Sequence, residues 1–404
     1  MGANLITTII TAISILAIVL GIVFGLIRGF KRSLIMLMLT AITFLIAWIL
    51  CDAIAEAVLG IHIEEGVSLV DSLKATLSEQ GLPFSVVRLV VNAIIIMLEI
   101  VVFVSIFSVL SFIMWILFFP IIKLIMFGSK NKEEQEPKTV GDIIGGIALS
   151  LVSSIIFAYT VCAPLTGLAG EVAKISKINL NGEQVLPLER TYDVNEYLGT
   201  FFGKIYTSTG GLLYNHVAIT VDIESGDQVY LSDNVDAVVA ASDLLTEAQK
   251  IISADYSEGL NEDNVSVLVE SLTKMEETKS ALSESSVEIF NEVLIDLSAT
   301  LGEDLPISVP EDFDFSQVNF QEAAEAIEVV YDYSQSDEES LTDEQVDVIV
   351  TAFADNMIIV ESIQGQTLVQ LDKASQDIVN EKLETIDKLT EEQVALLKGL
   401  LGME

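Results

Sequence analysis

Glu99 is the only carboxyl group in a long apolar run, Val86 to Phe119, that also holds Arg88 and Asn92. The three polar residues are four and seven positions apart, so a helix places them on one stripe. A charge at the centre of a bilayer costs a few kcal/mol, about 3 on insertion scales, so a carboxyl there calls for a reason. It can relay a proton or an ion, or bind a partner. The simpler alternative is a protonated or hydrogen-bonded group facing its own bundle. A relay needs several ionisable groups across the membrane, and Glu99 stands alone at that depth. Transport, with Glu99 in the pathway of a channel or transporter subunit, is therefore the second reading of function.

Other reactive side chains are sparse. Cys51 and Cys162 lie within or at the end of apolar runs, which excludes a disulfide scaffold and gives no paired metal-ligand spacing. His62 and His216 have no evident nucleophile partner, and His62-Ile63-Glu64 lacks the downstream Pro-Cys-x-x-Cys of a zinc deaminase. Gly-x-Ser-x-Gly, the P-loop and His-Glu-x-x-His are all absent from the sequence. No catalytic residue, metal site or cofactor is expected. The remaining enzymatic option is a hydrolase built from carboxylates alone, acting on cell-wall glycans.

The elements that position these residues follow from charge and hydropathy. The 404 residues carry 20 Lys and Arg against 59 Asp and Glu, a net charge of −39. Residues 1–163 hold nine cations and eleven anions, net −2, while residues 164–404 hold eleven and forty-eight, net −37. Acidity on that scale excludes nucleic-acid binding and favours solubility of the second part.

Four apolar stretches, Leu5 to Ile27, Ser33 to Cys51, Val86 to Phe119 and Ile143 to Leu165, read as membrane helices. The first has no cationic segment before it and no small-x-small cleavage site, so it reads as a membrane helix and not as a signal peptide. The third is too long for one upright crossing and must tilt, protrude or break. Pro120 and Lys123 mark its last part as an interfacial segment. Arg28, Lys31 and Arg32 fill the first turn, and Lys123, Lys130, Lys132 and Lys138 the third connection, whereas the loop from Asp52 to Ser85 is acidic. Cations collect on the cytoplasmic side, which puts the N-terminus, the acidic loop and residues 166–404 outside.

Gly21, Gly25 and Gly29 form a smooth stripe on the first helix. Gly141, Gly145, Gly146, Ser150 and Ser154 form another along the fourth. Small residues at that spacing let helices approach closely in lipid, so a contact between the first and fourth helices is expected.

The order of these features, with "GIVFGLIRGFKRSL" closing the first helix and "GDIIGG" opening the fourth, resembles the colicin V production protein family over residues 1–165. The most specific element is Gly25-x-x-Arg28-Gly29. The resemblance implies a polytopic bacterial inner-membrane protein linked to toxin production and envelope maintenance. The fourth helix here lacks a second Arg-Gly, and the third connection is lengthened by "SKNKEEQEPK".

Residues 166–233 read as a mixed connector with a β-hairpin over 217–231, in which Val217, Ile219, Val221 and Ile223 alternate. Residues 234–404 read as an acidic bundle of six to eight helices. "LNEDNV" at 260, "LSESSV" at 282, "LTDEQV" at 341 and "LTEEQV" at 389 share helix-start chemistry: a cap residue, acids in the first turn and a Leu/Val staple. Gln345 and Gln393 complete capping boxes. Val346, Ile349, Val350 and Phe353, with Val394, Leu397 and Leu401, give core faces. "PEDFDFSQ" at 310–317 joins acids and aromatics in a loop without Ca²⁺-loop spacing.

The fold class is thus mainly α: a four-helix membrane domain followed by an extracytoplasmic, mostly helical acidic domain with one hairpin. The expected function is non-enzymatic, with the acidic domain anchored for protein–protein interaction. The expected partners are the lipid bilayer and an envelope protein, with a homo-oligomer as a further option.

Overall fold

The computed structural model describes residues 5–403, apart from 60–61, 65–66, 80–83, 122–123, 125–138, 176–178, 181–182, 185–200, 210, 222–227, 258, 302–308, 310–312, 337–339 and 387. The described chain is mainly α-helical and divides into two compact units. The first carries α1 (Leu5–Leu59), α2 (Leu69–Ser78), α3 (Phe84–Ile113), α4 (Val140–Ile175), α5 (Phe201–Ser208) and α6 (Leu212–Val217). Three helices, rather than the four stretches expected, are long and apolar enough to cross a membrane, and they contain Thr11–Cys51, Phe84–Ile121 and Val140–Ile175. The difference lies in α1, which joins the first two stretches.

Gly29 interrupts α1 with φ 72° and ψ 178°, a conformation open essentially to glycine alone. The neighbours on either side show what this does. A methyl group built at Gly25 would lie 2.4 Å from the Ile147 Cα, and one at Gly21 3.0 Å from the Leu151 Cα. Residues 21–25 therefore run antiparallel to α4. Beyond the break, Phe30 abuts Gly145, and the Thr40 and Ser153 hydroxyls share a hydrogen bond of 2.7 Å. Residues 30–40 run parallel to the same stretch of α4. Both halves can lie along residues 145–154 only if the chain folds back at Gly29.

The third apolar stretch does not break at Pro120. The α-helix passes into a π-helical turn at Met114–Phe118, and Phe119 to Ile121 remain helical. Pro120 removes one N–H donor and crowds the carbonyl a turn before it, and the wider π turn lies where that crowding falls. Lys123, expected at the interface, lies outside the described residues, as do Lys130, Lys132 and Lys138. Likewise α4 does not stop near Leu165 but carries Pro164 inside it and runs on to Ile175.

The expected hairpin is present as β5 (Ile219–Val221) paired antiparallel with β6 (Gln228–Tyr230). Its first strand is shorter than the alternation implied: Val217 is the last residue of α6, buried against the unit, and Ile223 lies outside the described residues. Two further ladders, β1 (His62–Glu64) with β2 (Val67–Ser68) and β3 (Asn179–Leu180) with β4 (Glu183–Gln184), have no alternating pattern to announce them.

The second unit carries the β3–β4 ladder and a helical bundle: α7 (Leu231–Ser253), α8 (Glu262–Ala281), α9 (Glu284–Leu301), α10 (Phe320–Gln335), α11 (Asp343–Asp355), α12 (Met357–Ser362), α13 (Lys373–Glu384) and α14 (Glu391–Leu400). One continuous core, including Leu268, Phe290, Ile327, Phe353, Val379 and Leu397, draws on all eight. The aromatics of "PEDFDFSQ" belong to it: Phe313 is buried, and Phe315 is fully buried in a 3₁₀ turn beside Phe290 and Phe320, so both rings pack inward.

Capping boxes start three of these helices, at Thr342 with Gln345, Thr390 with Gln393, and Asn261 with Asn264. The third box uses Asn where the expected pattern has Gln, and the Asn264 side chain also donates to the Asp255 and Gly259 carbonyls. At α9, the Ser283 hydroxyl accepts from the Ser286 N–H. Thr342→Ala and Thr390→Ala should each cost about 1 kcal/mol in denaturant melts followed by circular dichroism, with Thr342→Ser near neutral.

The bundle also fixes an acid limb. The Ser316 hydroxyl holds Asp314 below the ordinary aspartate value of 3.8, and the Ser375 hydroxyl does the same for Asp372, which caps α13. A depressed folded value contributes stability above the unfolded pKa that is lost as pH falls through the folded one. Asp243 acts oppositely, raised by burial and by Glu247, and gains as pH falls. Thermal melts should therefore hold from neutrality to about pH 5 and drop below about pH 4, and Asp372→Asn should flatten that drop.

Candidate functional site

The apolar unit is organised around the contact between α1 and α4. Gly25 and Gly146 are its centre: a methyl group at Gly146 would lie 2.7 Å from the Gly29 Cα and 2.8 Å from the Gly25 carbonyl oxygen. Helices this close rely on van der Waals contact between backbones, which only glycine permits. Gly21, Gly25, Gly29, Gly145 and Gly146 all sit in the contact. Gly141 does not, since a methyl group there would meet only the Thr139 hydroxyl at 3.8 Å. Ser150 and Ser154 extend the stripe and turn toward a cavity.

That cavity, about 320 Å³, is bounded by both halves of α1, by α3 with its π turn, and by α4. Its hydroxyls come from Thr40 and Thr43, from Ser108 and Ser111 on α3, and from Ser150, Ser153 and Ser154 on α4. Its apolar wall is made by Leu20, Met36, Leu39, Phe112 and Phe157. Thr43 donates to the Leu39 carbonyl, and Thr40 and Ser153 satisfy each other. The Ser111 Oγ is buried without a hydrogen-bond partner among the described residues.

Arg28 closes one end. Its guanidinium carbon lies 4.4 Å from the Phe24 ring centre, 5.2 Å from Trp115 and 5.6 Å from Phe119. Rings occupy the face of a guanidinium and leave its five N–H donors, which project from the edge, available. Arg28 is half-buried and forms no ion pair with a carboxylate among the described residues. Of its neighbours, Lys31 is exposed and Arg32 half-buried.

Arg88, Asn92 and Glu99 lie on α3 as a separate group. Asn92 and Glu99 are buried and Arg88 is half-buried. Glu99 is not on the cavity wall: Ser108 is nine residues further on, which at about 100° per residue is the opposite side of the helix. The structure thus separates the polar stripe from the arginine that the sequence placed in a turn motif. At the far end of the unit, His216 stacks on Trp48 with ring centres 3.5 Å apart and planes 8° from parallel. Both cysteines are buried and neither forms a disulfide among the described residues. Among the described residues no group of three or more His, Cys, Asp or Glu side chains is placed to hold a metal ion.

The hydroxyl wall and the aromatic rings around Arg28 went unread in the sequence. Two signals carry them: Phe24 lies four residues before Arg28, and Ser108, Ser111, Phe112 and Trp115 follow the i, i+3, i+4, i+7 spacing of one helix face. Comparison with protein-family models, with curated proteins and with solved structures returns no match for this chain.

The contact makes a sharp contrast between two glycines. Gly25→Ala must push a methyl group into the Ile147 backbone and should cost about 3 kcal/mol, at the upper end of overpacking penalties. Gly141→Ala, with open space around it, should be neutral. Thermal unfolding of the detergent-solubilised chain checks both.

Proposed function

We propose that the chain is a multi-pass bacterial cell-membrane protein, similar to the colicin V production protein family over residues 1–165. It crosses the membrane four times and holds the acidic bundle outside the cell for protein–protein interaction in envelope maintenance or secretion. The observation that carries this reading is the fold-back at Gly29. Residues 5–28 and 30–59 rise about 36 and 45 Å, so each half of α1 is long enough for a crossing of its own. Arg28, Lys31 and Arg32 then gather at one membrane face, while the acidic residues from Asp52 onward belong to the other.

The acidic bundle suits display and recognition. Its core is its own, and seven of its carboxylates, Glu262, Asp263, Glu284, Asp343, Glu344, Glu391 and Glu392, stand on helix first turns where they complement the dipole. A surface of that sign attracts a cationic partner face and repels anionic lipid.

Burial of Glu99 within α3 favours the second reading, a transporter or channel subunit. Glu99→Gln separates the two, since ion flux and phenotype should be unchanged if the first holds. The direct test is cross-linking of intact cells with a membrane-impermeant amine reagent. A discrete partner attached through lysines such as Lys274, Lys382 and Lys388 is expected. Lysines of the bundle that stay unlabelled would overturn the orientation, and labelling without a partner would overturn the interaction role.

A further inference from the structure

We propose that the cavity beneath Arg28 binds one anionic phospholipid, with the phosphodiester on the guanidinium edge and the start of an acyl chain along the apolar wall. A half-buried cation inside an apolar unit needs a counter-charge or hydration, because desolvation penalises an isolated charge. The three rings around Arg28 stabilise its face and hold it in one orientation, but they supply no anion. The edge remains, and the planar fork of a guanidinium matches two oxygens of a phosphate.

The rest of the cavity fits the same ligand. Hydroxyls of Ser108, Ser111, Ser150 and Ser154 line the wall further in, where the ester groups of a lipid lie relative to its phosphate, and Ser111 has a buried oxygen with no partner among the described residues. Leu20, Leu39 and Phe157 present hydrocarbon to hydrocarbon. About 320 Å³ holds a headgroup and part of a chain but not a whole lipid, so the remainder stays in the bilayer. A basic pocket between membrane helices at a cation-rich face is a recognised way to select anionic over zwitterionic headgroups. Lys31 and Arg32, next in sequence, reinforce the sign.

The inference uses the membrane placement of the apolar unit and no role of the acidic bundle. The test uses the full chain, delipidated in detergent and then given phosphatidylglycerol, phosphatidylcholine or inorganic phosphate. Native mass spectrometry counts retained lipid, and thermal unfolding reads stabilisation. Phosphatidylglycerol should be retained one per chain and raise the melting temperature, with neither effect from the other two. Arg28→Gln should lower that retention about tenfold, the loss of one charge-assisted bidentate contact. Ser111→Leu fills the cavity from the α3 wall and leaves the charge in place. It should abolish retention while the chain still melts cooperatively. Equal retention of the two lipids, or retention unchanged in Ser111→Leu, overturns the proposal, and stabilisation by inorganic phosphate alone assigns the site to a free anion instead. None of these readouts depends on orientation or on the acidic bundle, so this test and the cross-linking test fail separately.

Discussion

Everything in the apolar unit depends on how closely α1 and α4 approach at Gly25, Gly29 and Gly146. Within lipid no hydrophobic force draws helices together, since lipid tails are as apolar as leucine. What remains is dispersion between surfaces in contact, and it falls away within an ångström of separation. Gly25 over Ile147 and Gly146 over Gly29 remove the side chains that would hold the backbones apart. Gly29 adds a second role, because its φ of 72° is what turns the chain. One residue thus folds α1 and helps to dock it. The cavity requires both halves of α1 beside the same stretch of α4, and the Thr40–Ser153 hydrogen bond ties the second half there.

The acidic bundle answers a different problem. Residues 231–404 hold forty carboxylates against seven cations, so self-repulsion opposes the compact state. Surface ion pairs such as Lys388 with Asp355 and Lys382 with Asp347 offset little of it, since exposed pairs contribute about 0–1 kcal/mol each. The continuous core and the capped helix starts carry the stability. Acids placed in first turns are spent where the helix dipole favours them, which turns part of the charge load into an asset.

Legibility divides along the same physical line. Helix starts were readable because cap chemistry is local: Thr342, Gln345, Thr390 and Gln393 are within four residues of what they satisfy. The core positions Ile349, Val350 and Phe353 were readable because periodicity is local too. The stripes on α1 and α4 pointed to each other because small residues in lipid have few other uses. What the sequence hid was longer in range. The end of α4 was misplaced because a proline in an apolar helix does not force termination, and Val217 was misassigned because an alternating pattern does not say where pairing begins. The environment of Arg28 is assembled from α1, α3 and the π turn, and no single window of sequence contains it. The apolar unit therefore displays its packing in its sequence and conceals its cavity.

The fold-back at Gly29 is the most direct point to measure. Ala17 and Thr43 line the same cavity from opposite halves of α1, twenty-six residues apart in sequence. Spin labels at the two positions, with the chain reconstituted in lipid, report their separation by pulsed electron paramagnetic resonance. A chain folded at Gly29 gives a single distance below about 20 Å, the span of two packed helices and their labels. A distance near 39 Å, the rise of a straight helix over that interval at about 1.5 Å per residue, would contradict the hairpin, and with it the cavity and the proposed four crossings.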